Sequence, residues 1–149
     1  MGPVRVLLAD GHAVVRAGLR HALNSLPALE VVGEVGDGHA LAEALAQLRP
    51  DFLLIDVAMP NFEPVAAMRR IKVEYPSLKI LAVSAYDDEA YVIGLLEAGV
   101  DGYHLKDQPL ADLQLAISGF SAATVGSLAR WWTGWCIVGP PWRCAPRLH

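Results

Sequence analysis

Four polar side chains each close an apolar run, and as a set they are suited to charge chemistry. Asp10 follows Val4-Arg5-Val6-Leu7-Leu8-Ala9, and Asp56 follows Phe52-Leu53-Leu54-Ile55. Ser84 follows Lys79-Ile80-Leu81-Ala82-Val83, and Lys106 follows Asp101-Gly102-Tyr103-His104-Leu105. Carboxylates accept hydrogen bonds and attract cations, an ammonium group donates and attracts anions, and a hydroxyl does both. If the runs are parallel strands of one sheet, the four residues share its carboxyl edge, where open α/β sheets bind ligands. The product is an anionic crevice faced by a single cation.

The intervening segments supply what such a sheet needs. The run over 4–9 is short, apolar and rich in valine and leucine, as a strand buried on both faces should be. Residues 13–26 place Val15, Leu19, Ala22 and Leu26 at three-to-four spacing, which predicts an amphipathic helix stopped by Pro27. A second strand is expected over 29–35, a turn at Gly36-Asp37-Gly38 and a second helix over 40–48. The third strand spans 52–55, a two-proline loop 57–64, and the third helix 65–75, ended by Pro76. The fourth strand spans 79–83. Asp87-Asp88-Glu89 opens the fourth helix, because acids favour the positive end of a helix dipole. Gly99 caps that helix, the fifth strand covers 101–105, and Pro109 starts a fifth helix reaching about Ile117. Strand and helix thus alternate five times, which implies a doubly wound parallel sheet with helices on both faces.

Bulk properties limit the function classes. The 149 residues suit one domain, and a 54% hydrophobic composition can fill a core. Residues 1–112 carry nine basic against 16 acidic side chains, a net of −7, while 113–149 carry three arginines and no acid. An acidic body offers no basic face to displace counterions from phosphates, so no direct nucleic-acid binding by this chain is expected. Residues 4–9 are too short for a signal-peptide core, and the apolar stretch 113–138 is broken by Gly119, Gly126, Arg130 and Gly134, so no membrane span is expected. Both cysteines, Cys136 and Cys144, lie beyond that body, which fits a reducing cytoplasm.

Leu7-Leu8-Ala9-Asp10-Gly11-His12, Leu54-Ile55-Asp56-Val57-Ala58-Met59-Pro60, Val83-Ser84-Ala85 and Gly102-Tyr103-His104-Leu105-Lys106 together resemble the signature segments of receiver domains of two-component response regulators. The opening and closing motifs look nearest to the subfamily carrying a LuxR-type helix-turn-helix output domain, although no such output pattern is expected in the remaining residues. The resemblance covers about 3–118. It divides the chain into a receiver domain, 1–118, and a tail, 119–149, that does not look like the family. It implies a flavodoxin-like fold of five parallel strands in the order 2-1-3-4-5.

The resemblance also implies roles. Asp56 matches the phosphoryl acceptor, which forms a mixed anhydride. Asp10, Asp56 and the backbone carbonyl of Ala58 match the ligands of Mg²⁺, a cation that prefers octahedral oxygen donors and neutralises charge on carboxylate and phosphoryl oxygens. Ser84, Lys106 and Tyr103 match the phosphate-binding and switch residues. A compact ammonium suits a phosphate oxygen, and a moving Ser84 would let Tyr103 fill its space. The implied partner is a sensor histidine kinase. The implied output is a change of the face made by the fourth helix, fifth strand and fifth helix, through which a homodimer could form. Any catalysis is limited to the chain's own phosphoryl transfer and hydrolysis at Asp56.

Three positions depart from the family pattern. Gly11 stands where a second metal-binding acid is usual, Glu63-Pro64 where acid-glycine is common, and Asp107 where a proline usually follows the lysine. Gly11 removes one ligand and one negative charge, so weaker Mg²⁺ binding is expected. It also leaves open a second class of function, a degenerate receiver that works as a phosphorylation-independent interaction or dimerisation module. A flavin or nucleotide binder of the same topology is disfavoured, because no glycine-rich loop follows the first strand. Ordinary roles stand beside these: Asp10 as a helix cap, Ser84 as a strand-end hydroxyl, Lys106 as a solvated surface charge, Tyr103 as core packing. His12 reads as a helix-start residue near the crevice, and His21, His39 and His104 lack ligand spacing.

Overall fold

The computed structural model describes residues 3–84, 89–105 and 137–138. The elements are β1 (Val4–Ala9), α1 (Ala13–Asn24), β2 (Leu29–Val35), α2 (Gly38–Leu48), β3 (Phe52–Asp56), α3 (Pro64–Glu74), β4 (Lys79–Ser84), α4 (Glu89–Glu97), β5 (Gly102–Leu105) and β6 (Ile137–Val138). All strands pair in parallel, in the order β2-β1-β3-β4-β5-β6. The first five form the expected 2-1-3-4-5 sheet. The two-residue β6 adds a sixth position beside β5, opposite Tyr103 and His104, which the sequence did not foretell. The fifth helix expected over 109–117 lies outside the described residues, as does the tail from 119 apart from 137–138.

Strand alternation sorts the core into two layers. Leu7, Ala9, Leu53, Ile55, Ile80 and Ala82 face one way, against Leu41 and Leu45 of α2, Met68 and Ile71 of α3 and Leu95 of α4. Val6, Leu8, Phe52, Leu54, Leu81 and Val83 face the other, against Leu19 and Leu23 of α1. All five residues of β3 are buried. A central parallel strand has helices over both faces, so apolar residues are favoured throughout. Each fully buried leucine or phenylalanine contributes about 1.5–3 kcal/mol.

Local chemistry sets the helix ends where periodicity could not. α1 ends two residues before the expected limit, where the Ser25 hydroxyl donates to the Ala22 carbonyl at 2.7 Å and Leu26 N–H turns back to Leu23 at 3.0 Å. α2 begins two residues early because the Asp37 carboxylate accepts the Ala40 N–H at 2.8 Å, a side-chain cap. α3 starts at Pro64, whose missing N–H costs nothing in a first turn. Gly99 follows α4 with φ +113°, a conformation that L side chains rarely adopt. Among the described residues no helix is long and apolar enough to cross a membrane.

Candidate functional site

Register brings the acids together. Ala9 pairs with Ile55 across the central ladder, so Asp10 and Asp56 leave neighbouring strands at the same level. Both are almost wholly buried, at 1% and 2% exposure. The chain turns sharply after each strand, and each carboxylate is fixed by a backbone donor two residues on. Asp10 Oδ1 accepts the His12 N–H at 2.7 Å, and Asp56 Oδ1 accepts the Ala58 N–H at 3.0 Å. Burial of two like charges side by side is costly unless a cation or proton compensates them.

The remaining expected residues divide. Val83 pairs with His104 and Ser84 with Leu105, so the Ser84 backbone ends β4 one step beyond the residue opposite Asp56. Lys106 lies outside the described residues. Tyr103 is fully buried and belongs to the core layer that includes Leu95 of α4. A Cβ placed on Gly11 would lie 2.8 Å from Pro60 Cδ and 3.5 Å from the Gly36 carbonyl oxygen. A side chain there would displace the Pro60 ring, which closes the loop leaving Asp56.

One contact was not legible in the sequence, although the place of its residue at a helix start near the crevice was. His12, the residue preceding α1, makes no side-chain cap bond. Its Nδ1 lies 3.5 Å from Asp10 Oδ1 and 3.6 Å from Asp56 Oδ2, while the ring as a whole is 66% exposed. Ligand atoms of Asp10, His12 and Asp56 all fall within 4.8 Å of one another. The readable signal was its place two residues after Asp10, at the start of a helix on the binding edge. Arg16 supports the same corner from the next turn. Its Nη1 donates to the Asp10 carbonyl, and its Nε lies 3.3 Å from Glu34 Oε1, tying α1 to β2. The two carboxylates suit Mg²⁺, which is commonly held by one or two carboxylates with water completing its shell. The imidazole does not, because nitrogen ligands favour other dications.

This layout has close parallels in known proteins. The response regulator receiver domain model matches residues 6–118. The chain belongs to that family. A transcriptional regulatory protein of Bacillus subtilis, YxjL, is 35% identical over 146 residues, covering 98% of this chain and 66% of that protein. The oxygen regulatory protein NreC of Staphylococcus epidermidis is 37% identical over 115 residues, covering 76% of this chain and 53% of NreC. The chain therefore spans about half to two thirds of the length of these relatives. Among solved structures, the signal receiver domain of the response regulator NarL from Mycobacterium tuberculosis has a TM-score of 0.76 at 30% identity, covering 82% of this chain and 98% of that one. The isolated receiver domain of RcsB from Salmonella enterica, solved with the phosphomimetic BeF₃⁻, has a TM-score of 0.76 at 28% identity, covering 81% of this chain and 90% of that one. The expected family, its LuxR-type relatives and its flavodoxin-like fold all stand. The matched family is one of signalling receiver domains.

Proposed function

We propose that this receiver takes a phosphoryl group on Asp56 from a sensor histidine kinase and so biases the surface formed by α4, β5 and the chain beyond it. The single observation that carries the reading is Asp56 itself. It is buried at the end of the central strand, with Oδ1 held by the Ala58 N–H and Oδ2 turned toward His12, beside a second buried acid. A fixed, oriented carboxylate oxygen is what attack on phosphorus needs. The Asp56 oxygen–phosphorus bond forms as the bond from phosphorus to the donor's imidazole nitrogen breaks, and that nitrogen keeps the electron pair.

Asp10, Asp56 and the Ala58 carbonyl would hold Mg²⁺, which when bound neutralises charge on carboxylate and phosphoryl oxygens. Ser84 is the last residue of β4, the strand beside β3, and Lys106 follows β5 in sequence, one strand further on; they serve as donors to the new phosphoryl oxygens. Tyr103 is the packing group between site and output face. Moving such a two-state surface from 1:99 to 99:1 takes about 5.5 kcal/mol, more than one charge-assisted bond supplies, so several contacts change together. In the cytoplasm, and within a longer protein of the kind its relatives represent, the chain would report a kinase signal to a transcriptional output domain. Homodimerisation through the α4–β5 side is part of this reading.

Incubation with acetyl phosphate and Mg²⁺ followed by intact-mass measurement tests it. A phosphate adduct that Asp56→Asn abolishes is expected. Gly11 supports the second reading, a degenerate receiver that associates without phosphate. No adduct, together with self-association in sedimentation, would replace the first reading by the second.

A further inference from the structure

We propose that His12, Asp10 and Asp56 form a binding site for a borderline divalent cation such as Zn²⁺ or Co²⁺, with His12 Nδ1 taking the ligand position that Gly11 leaves without a carboxylate. The inference rests on the reading of Asp10 and Asp56 as the cation-holding pair, and adds to it an imidazole ligand and a change of metal preference.

The distances carry the argument. Metal–nitrogen and metal–oxygen bonds of about 2.0–2.1 Å in tetrahedral arrangement place ligand atoms about 3.3 Å apart. His12 Nδ1 lies 3.5 Å from Asp10 Oδ1 and 3.6 Å from Asp56 Oδ2, so small side-chain adjustments bring three donors onto one centre. The two carboxylates cannot retreat, because each is buried at a strand end and anchored by a backbone N–H. The imidazole can adjust, because its ring is 66% exposed. Donor type then selects the ion. One nitrogen and two oxygens suit Zn²⁺ and Co²⁺ better than Mg²⁺, which binds oxygen almost alone. Three protein ligands leave a fourth position for water or an incoming phosphoryl oxygen.

Gly11 makes the substitution of ligands consistent. A Cβ there would lie 2.8 Å from Pro60 Cδ, so a side chain from residue 11 enters this corner only if the Pro60 ring shifts. The next residue along supplies the donor.

The test uses the whole chain and no phospho-donor. Calorimetric titration with Co²⁺, Zn²⁺ and Mg²⁺ is combined with the visible absorption of the Co²⁺ complex, which reports ligand type and coordination number. Expected are Co²⁺ and Zn²⁺ binding at least tenfold tighter than Mg²⁺, and loss of at least tenfold in Co²⁺ affinity with an altered spectrum in His12→Gln. Mg²⁺ affinity in that variant should stay unchanged. Asp56→Asn should weaken all three ions. Equal Co²⁺ affinity and spectrum in the parent chain and His12→Gln would overturn the proposal, since the ion would then sit on other groups. So would Mg²⁺ binding as tight as Co²⁺. His12 is exposed, so His12→Gln should fold normally, and circular dichroism checks this. A chain that gains phosphate on Asp56 with Mg²⁺ but shows no His12-dependent Co²⁺ binding defeats this inference alone. Binding of Co²⁺ through His12 without any phosphate adduct defeats the phosphoacceptor reading alone.

Discussion

The two ends of one sheet treat buried carboxylates in opposite ways. At the amino end, Asp101 immediately precedes β5 and is 8% exposed. Its Oδ2 accepts the Ile80 N–H at 2.7 Å and lies 3.4 Å from Lys72 Nζ, which itself donates to the Leu78 carbonyl at 2.6 Å. Nearby, Asp51 Oδ2 accepts the Arg5 N–H at 3.0 Å, and Arg5 Nη1 reaches the Arg49 carbonyl at 2.9 Å. There the buried acid has a lysine ammonium beside it in addition to a backbone donor. At the carboxyl end, Asp10 and Asp56 are more deeply buried, stand next to one another, and have an exposed imidazole as their neighbour. The amino end is a clasp that closes the fold. The carboxyl end places two buried acids side by side, the arrangement on which the proposed cation and phosphoryl site rests. Burial of an acid therefore does not by itself identify a functional group; the chemistry of its neighbours does.

Substitutions can break this contrast, and the largest effect belongs to the clasp. Asp101→Ala strands the buried Ile80 N–H and strips Lys72 of its counter-charge, which should cost about 2–4 kcal/mol in urea unfolding. Asp56→Asn keeps an acceptor for the Ala58 N–H and relieves a like-charge neighbour. Its stability should differ from the parent by less than about 1 kcal/mol, while its phosphate adduct vanishes. Equal losses in the two variants would erase the distinction between the ends. Gly99→Ala comes next. The positive φ and a Cβ 2.7 Å from Lys72 Cγ should together cost about 1–3 kcal/mol, read by the same melts.

A pH series sharpens the comparison further. Burial pushes the Asp101 carboxyl above its usual 3.8, against the opposing pull of Lys72 and the Ile80 N–H. The folded state thus holds this proton more tightly than the unfolded chain does. The resulting stability is fully present below pH 3.8 and is lost as pH rises through the raised folded value. Subtracting the Asp101→Asn profile from that of the parent should show a decline confined to that window, and a flat difference would count against it. The smallest effect is expected from His12→Gln, which should leave unfolding free energy within about 0.5 kcal/mol of the parent, because the ring is mostly solvated.

Much of this was legible in the residues, and the gaps have physical causes. The bounds of β1 and β2 follow from apolar runs punctuated by polar or turn residues. The meeting of Asp10 and Asp56 follows from two such runs ending alike in a parallel sheet. Helix ends were less readable, since the Asp37 cap and the Ser25 hydroxyl act through single hydrogen bonds that leave periodicity untouched. His12 stands at a helix start near the crevice as expected, but its approach to both acids and the partners of Asp101 carry no sequence signal. A side chain's partner depends on where it swings after the backbone is set, and Asp101 in sequence is merely the first residue of the strand expected over 101–105, which begins one residue later. β6 carries too few residues to show any pattern. Ser84 and Lys106 are expected from strand ends alone; the backbone of Ser84 ends β4, and Lys106 lies outside the described residues.

The loop leaving Asp56 is also gripped from behind. Gly38 N–H donates to the Pro60 carbonyl at 2.9 Å, Asn61 adopts φ 55°, and a Cβ at position 38 would overlap the Asn61 carbonyl oxygen. The loop after Asp56 and the start of α2 are thus joined by a hydrogen bond and by a close backbone approach that only a glycine at 38 permits. A side chain at residue 38 is therefore barred by the loop beneath Asp56, even though the position lies on a different element from either acid in the crevice.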